Sequence, residues 1–214
     1  MKTPTTIVVA IAAIATFASP SLATLCQVDF DLIGDGQWWR ILTGHFTHFD
    51  GSHLFWDLLM FGVLGAVCEC RHRRFFPFAM AFMAAGITAS IAVWCDGIDV
   101  YRGLSGIDTG LFVWFVIDQC RASWMANDKK SAALWLVPAI GLVGKSIFEA
   151  QTGQTVFVDS STFTPLVQSH LAGAAIGVVC ASAHYRIPIQ RLSAFQNGWF
   201  STKHSRATSS ARGV

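Results

Sequence analysis

Residues 102–110 read RGLSGIDTG and are followed directly by the apolar run Leu111 to Ile117. Ser105 therefore sits between glycines, at the mouth of what reads as a membrane-spanning helix, which is an unusual place for a hydroxyl. Small residues in such helices often serve only to let neighbouring helices pack closely. Ser105 by itself does not distinguish packing from catalysis, because catalysis needs a base at the same membrane depth.

The composition indicates that most of the chain contacts lipid or other buried helices. Of the 214 residues, 53% are hydrophobic and 13% are charged, and the mean hydropathy is +0.48. A soluble domain usually carries about 25% charged residues. The length suits one domain, and a net charge of +2 is too weak to indicate a nucleic-acid partner.

Six apolar runs are long enough to cross about 30 Å of hydrocarbon, which takes roughly 20 residues per helix. They lie near residues 5–25, 53–70, 75–95, 103–120, 131–149 and 167–185. These runs predict an all-α polytopic membrane protein with six transmembrane helices. The predicted plan is a first helix (1–25), an outer interfacial loop carrying Trp38 and Trp39 (26–52), a core of five helices (53–186) and a disordered basic tail (187–214).

Basic residues occupy alternate connections between these runs. One side carries Lys2, Arg71, Arg73, Arg74, Arg121, Lys129, Lys130 and the basic residues after 185, while the other carries only Arg40 and Arg102. Because lysine and arginine mark the cytoplasmic side, both termini are predicted to be cytoplasmic. The first run also resembles a cleavable signal peptide, since Ser21-Leu22-Ala23 follows its apolar core. A retained helix is favoured because the apolar run continues to Leu25.

Ionisable side chains inside membrane spans are costly and are candidates for function by default. The predicted spans contain His53, Asp57, Asp108, Asp118, Lys145, Glu149 and His170. Lys145 and Glu149 are four residues apart near an outer helix end, where mutual pairing accounts for them, and Asp118 can reach water at the cytoplasmic boundary. The remaining candidates are His53, Asp57, Asp108 and His170.

Four polar groups fall in one shallow layer of the membrane. Ser105 and His170 each lie sixteen residues before the arginine that ends their span, so both are about 24 Å above the inner boundary at 1.5 Å per residue. His53 and Asp57 lie at about 27 Å and 21 Å by the same estimate. In a layer of about 30 Å, this depth is open to the outer face.

Glycine stripes predict how two of the spans meet. Span four carries Gly106 and Gly110, and span six carries Gly173 and Gly177. Such small-xxx-small patterns let helix backbones approach closely. A serine hydroxyl becomes an effective nucleophile when a base within about 3 Å takes its proton, and imidazole suits that role near neutral pH. The matching depths therefore predict a Ser105–His170 catalytic dyad.

The same residues resemble the rhomboid intramembrane serine proteases, whose signatures are GxSG and HxxGxxxG. Residues 103–106 (GLSG) match the first signature and residues 170–177 (HLAGAAIG) match the second. The likeness extends upstream through Trp39-Arg40, Thr43, His48, His53-Leu54-Phe55 and Glu69, and covers about residues 38–186. The compact form and the GLSG sequence also resemble the rhombosortase branch, whose members trim glycine-rich C-terminal anchoring tails from exported proteins.

The resemblance implies a six-helix rhomboid-like bundle in a bacterial inner membrane that hydrolyses peptide bonds of membrane-anchored proteins without metal or cofactor. Ser105 would attack the scissile carbonyl, with His170 as general base and then general acid. The Ser105 backbone N–H and span two, where His53 matches the family histidine, would stabilise the oxyanion. Spans two and five would lie on either side of the opening through which the substrate enters. The surrounding positions are Gly103, Gly106, Asp108 and Thr109, and Arg40 and Glu69 look structural.

Two residues depart from the family pattern. Asp57 stands where many rhomboids have asparagine; a carboxylate cannot donate to the oxyanion, although a protonated one can. Alternatively, Asp57 faces His53 and fixes its tautomer, and we predict that Asp57→Asn keeps substantial proteolysis at neutral pH.

Thr109 stands where many rhomboids have an aromatic ring that packs on the base. Asp108 or Thr109 could orient His170 instead, in which case Asp108→Asn should cost at least roughly tenfold in rate; otherwise Asp108 meets water in the cavity.

Two other function classes fit parts of the sequence. A catalytically inactive rhomboid-like protein that binds membrane clients is compatible with Asp57 and Thr109, but retention of Ser105 and His170 argues against it. A metal or ion transporter would use His45, His48, Asp50, His53 and Asp57. The histidine spacing is loose for a metal site, and no His-Glu-x-x-His motif indicates metalloprotease chemistry.

Overall fold

The structure, a computed structural model, describes residues 3–156 and 165–184 and is almost entirely helical. In chain order the elements are α1 (Pro4–Ala18), α2 (Pro20–Cys26), β1 (Val28–Asp29), α3 (Phe30–Gly34), α4 (Arg40–Thr43), a 3₁₀ turn (Gly44–Phe46), α5 (Gly51–His72), α6 (Phe76–Trp94), β2 (Val100–Tyr101), α7 (Ser105–Met125), α8 (Lys129–Leu134), α9 (Leu136–Thr152) and α10 (Val167–His184). One compact unit runs from Met1 to Ala181. A second begins at Ser182, and its described part is the last turn of α10. The predicted tail, 187–214, lies outside the described residues.

The predicted all-α architecture is confirmed, with a helix at each of the six predicted spans. By length and composition, the helical stretches Gly51–His72, Phe76–Trp94 and Lys129–Thr152 can cross a membrane. The apolar helices Pro4–Ala18 and Val167–Ala183 are shorter. Helix α7 is continuous over 21 residues, but its sequence includes the charged residues Asp108, Asp118 and Arg121. The exact number of crossings therefore stays a prediction.

The first predicted span is broken into two helices, whereas the fifth stays one helical stretch. The expected run 5–25 ends at Ala18 and restarts at Pro20, because Ser19 is extended and its hydroxyl accepts from the Leu22 N–H. Proline at the first turn of a helix has no N–H to lose, whereas inside a helix it removes a hydrogen bond. The expected run 131–149 carries one turn residue, Trp135, between α8 and α9, and its N–H still donates to the Ser131 carbonyl, so Lys129–Thr152 stays one helical stretch.

Helix α7 lies at the centre of the bundle. Its Ile107, Leu111 and Trp114 are fully buried, and they belong to one apolar cluster with Phe61 from α5 and Ile87 from α6. In a bilayer this packing stabilises mainly through dispersion contacts, because lipid is as apolar as the side chains. The N-terminal end of α7, where the 102–110 stretch begins, is thereby held between the other helices.

Glu69 on α5 fastens the first helix to the bundle. Its carboxylate accepts from the backbone N–H groups of Thr5 and Thr6 at 2.9 Å and 2.8 Å, and from the Thr6 hydroxyl at 2.7 Å. These amides belong to the first turn of α1, whose N–H groups lack partners within the helix. The contacts agree with the structural role expected of Glu69, and we propose that α1 is retained in the mature protein.

Arg40 and a short strand pair organise the outer segment before α5. The guanidinium of Arg40 is buried and donates to the carbonyls of Thr24 and Gln27 at 2.8 Å and 2.9 Å. Strands β1 and β2 pair antiparallel, with Val28 opposite Tyr101. This pairing brings the segment directly before residues 102–110 onto the outer segment, whose backbone carbonyls Arg40 contacts.

Candidate active site

A cavity of about 940 Å³ lies between α5, α7, α9 and α10. Six of the predicted site residues line it: His53, Asp57, Ser105, Asp108, Thr109 and His170. Much of the remaining wall is apolar, including Trp56, Met60, Phe112, Leu142 and Phe148. The layer of polar groups expected from helix depth is therefore gathered around one space, with α5 and α9, the second and fifth predicted spans, on its walls.

Ser105 is the first residue of α7 and faces this cavity. Within the described residues, no side chain caps this end of the helix. The first N–H groups of a helix have no intrahelical partner and carry the positive end of its dipole. Ser105 therefore sits where backbone donors are available to a negatively charged group.

Gly103 allows His53 to approach the chain just before the serine. Gly103 has a φ of +119°, a conformation that favours glycine. A Cβ at this position would lie 2.6 Å from His53 Nε2 and 3.3 Å from Asp57 Oδ2. Both the backbone conformation and the space thus require glycine in the first signature motif.

The two predicted glycine stripes meet, as the sequence predicted. A Cβ on Gly173 would overlap the carbonyl oxygen of Gly106, and a Cβ on Gly177 would overlap that of Gly110. Gly106 in turn faces the carbonyl oxygen of Ser169. Since Ser105 precedes Gly106 and His170 follows Ser169, this backbone contact holds the two motifs side by side.

His170 is buried, with 7% of its surface exposed, and lines the cavity with Ser105. No hydrogen bond joins the two side chains among those described. Catalytic hydrogen bonds are often long or misaligned in the absence of substrate and tighten when it binds. The arrangement therefore supplies a hydroxyl and an imidazole that line the same cavity.

Asp57 acts as an acceptor in this structure. Its Oδ2 accepts from the backbone N–H of Leu104 at 2.8 Å, and lies 3.1 Å from His48 Nε2 and 3.3 Å from His53 Nε2. A carboxylate suits three converging donors, because it offers only acceptor sites. Of the two roles considered from sequence, this geometry favours fixing the tautomer of His53, and it adds an anchor for the loop before Ser105.

Neither residue expected to orient His170 is bonded to it. The Thr109 hydroxyl donates to the Ser105 carbonyl at 2.9 Å, within its own helix. Asp108 lines the cavity, and its buried Oδ1 has no hydrogen-bond partner among the described residues. The structure therefore favours the alternative in which Asp108 meets cavity water.

Glu149, which is predicted from sequence only to pair with Lys145, also lies beside His170. The expected pairing with Lys145 is present, with Nζ 2.7 Å from the carboxylate. Glu149 is nevertheless buried rather than at an exposed helix rim, and its Oε2 lies 3.3 Å from His170 Nδ1. Applied to span five, the depth estimate places Glu149 about 28 Å above the inner boundary, in the same layer as Ser105.

Tyr101 is a residue that the sequence reasoning did not single out. Its buried hydroxyl donates to the Gly103 carbonyl at 3.3 Å and interacts with the side chains of Ser105 and Ser169. Burial raises the pKa of Tyr101, so the hydroxyl remains protonated at neutral pH. The pairing of β1 with β2 places this residue, and that pairing joins segments about 70 residues apart.

The histidines proposed for a transporter are not gathered into a metal site. His45 Nε2 lies 3.0 Å from the Ala84 carbonyl on α6, while His48 pairs with Asp57. Within residues 3–156 and 165–184, no group of three or more His, Cys, Asp or Glu side chains is placed to hold a metal ion.

The family model of the Rhomboid domain matches residues 35–186, more than two thirds of the chain. The chain belongs to the rhomboid family. Rhomboids are intramembrane serine proteases that act on membrane proteins in the bilayer, and this rhomboid is accordingly an integral membrane protein. The matched region covers the described helices from α4 to α10, and with them the whole cavity wall. Comparison with curated proteins finds no match.

Proposed function

We propose that this rhomboid is an intramembrane serine endopeptidase, with Ser105 as nucleophile and His170 as general base. One observation carries the proposal: the two side chains line a single cavity, beside a backbone contact between Gly106 and Gly173. Glycines at this contact let the two helix backbones approach closely. Positioning of this kind is what converts a weak hydroxyl into a nucleophile.

The proposed reaction uses the groups around Ser105 in sequence. His170 Nε2 takes the proton from Ser105 Oγ as that oxygen attacks the scissile carbonyl carbon. The resulting oxyanion is stabilised by the Ser105 backbone N–H at the start of α7, a donor of a kind worth roughly 10²–10³ in rate. His170 then gives its proton to the leaving nitrogen, and a water molecule releases the acyl group by the same steps in reverse.

The proposed substrates are membrane-anchored proteins with an apolar segment that fits the cavity. The wall formed by Trp56, Met60, Phe112 and Leu142 suits such a segment. The proposal places the enzyme in a bacterial inner membrane with both termini cytoplasmic. A narrower form makes it a sorting protease for glycine-rich C-terminal tails, on the strength of the resemblance of residues 103–106 to rhombosortases.

Reconstitution with a panel of single-span substrates tests the proposal. We expect wild-type protein in liposomes to cleave at least one substrate, Ser105→Ala to lose cleavage, and Ser90→Ala to behave as wild type. Ser90 is the matched control because its hydroxyl is bonded within α6, to the Gly86 carbonyl. Equal cleavage by wild type and Ser105→Ala would refute the serine mechanism. Substrate capture without cleavage would support the inactive client-binding alternative.

A further inference from the structure

We propose that Glu149 on α9 is a positioning residue for the base, so that the site operates as a Ser105–His170–Glu149 series rather than as a dyad. The inference rests on the proposed function, since it assigns His170 the role of general base. It adds a carboxylate beside Nδ1 of the imidazole.

The contact between Glu149 and His170 joins two buried side chains. Glu149 is 1% exposed and His170 is 7% exposed, and Oε2 lies 3.3 Å from Nδ1. This is an ion-pair distance, although Nδ1 has no aligned hydrogen bond within the described part of the chain. A change in ring angle, without a change in separation, would align the pair.

The burial of Glu149 is exceptional for its helix. It is the single buried residue of α9, all of which the structure describes. A carboxylate in a membrane span is costly and needs compensation. Lys145 supplies it at 2.7 Å, and the Val156 N–H adds a contact at 3.4 Å. The carboxylate of Glu149, whose burial is costly, thus lies beside the base.

The chemistry explains why a carboxylate belongs at this point. With its proton on Nδ1 and directed at Glu149, the imidazole presents an unprotonated Nε2 towards Ser105. When Nε2 takes the serine proton, the ring becomes a cation beside a carboxylate that is already in place. Glu149 keeps its own protonation state throughout, and the transferred proton passes from Ser105 Oγ to His170 Nε2 and then to the leaving nitrogen.

A double-mutant cycle on the full-length protein in liposomes tests this inference. We expect Glu149→Gln to lower kcat by roughly tenfold to a hundredfold, with KM changed by less than about twofold. In a His170→Ala background, Glu149→Gln should have no further effect, because Glu149 acts through the ring. Glu149→Asp, which keeps the charge, should recover part of the rate. Ser146→Ala is the matched control on α9, since its hydroxyl is bonded to the Leu142 carbonyl.

The outcomes separate this inference from the proposed function. A wild-type kcat for Glu149→Gln, an effect confined to KM, or an undiminished loss in the His170→Ala background would overturn the positioning role. Each of these leaves the serine mechanism intact as long as Ser105→Ala remains inactive. Thermal melts of every variant identify any that do not fold. If Glu149→Gln does not fold, Lys145→Met provides the second test: a loss of kcat that vanishes in the His170→Ala background supports the inference, and an additive loss overturns it.

Discussion

Replacing Gly173 with alanine perturbs the backbone contact that holds Ser105 and His170 on one cavity wall. An added Cβ would overlap the Gly106 carbonyl oxygen and lie 2.8 Å from the carbonyl carbon. Carbon atoms pack best at about 3.5–4.0 Å, so α7 and α10 must separate by about 1 Å. Overpacking of this kind costs about 1–3 kcal/mol of stability. Misplacing catalytic groups by about 1 Å costs about a hundredfold in rate.

The assay measures cleavage of a single-span substrate in liposomes together with the thermal midpoint of unfolding. Gly62→Ala is the matched control, because a Cβ on Gly62 of α5 would meet nothing within 4 Å. We expect Gly173→Ala to lose about a hundredfold in kcat and to melt at a lower temperature, while Gly62→Ala stays near wild type. Wild-type activity and stability in Gly173→Ala would refute the close contact between the helices and the positioning argument built on it.

Four further predictions concern Glu69, His45, Asp57 and Asp108. Glu69→Gln should lower the free energy of unfolding by about 1–3 kcal/mol, because charged hydrogen bonds to α1 are lost. The kcat of the folded protein should not change, and denaturation and kinetic measurements on the same variant check both expectations. Burial lowers the pKa of His45 from 6.5 to about 4, so the unfolded chain binds a proton that the folded one does not. Stability should therefore be full above pH 6.5 and fall by about 3 kcal/mol towards pH 4, and melts across that range should be flatter for His45→Gln. Asp57→Asn should keep activity within about tenfold, because one amide oxygen can still accept from the Leu104 N–H, whereas Asp57→Leu should lose far more. Asp108→Asn should cost less than tenfold, as expected if Asp108 contacts only water.

Much of the fold was predictable because bilayer constraints act on each segment separately. Apolar length predicted where helices lie, and the glycine stripes predicted which two meet, as the contact of Gly106 with Gly173 confirms. The break at Ser19 was missed although its signal is local. Serine before proline is typical of the start of a new helix, but the apolar residues on both sides of Ser19-Pro20 made the segment read as one continuous span.

The surroundings of His170 were less predictable because they depend on how helices are rotated about their axes. Pairing of Lys145 with Glu149 follows from their spacing, but spacing alone does not tell that the carboxylate is buried and turned towards His170. Helix α9 has little buried surface, so its apolar pattern does not mark an inward face. The place of Tyr101 in the site was not predicted for a related reason, because its position depends on a strand pair that joins distant segments.

The most direct test of the proposed serine mechanism is covalent labelling by a serine-reactive fluorophosphonate, with the modified residue located by mass spectrometry. We expect one labelled residue, Ser105, with labelling slowed at least roughly a hundredfold in His170→Ala and unchanged in Ser90→Ala. Labelling of wild-type protein that misses Ser105, or that proceeds equally fast in His170→Ala, would contradict the assignment of nucleophile and base.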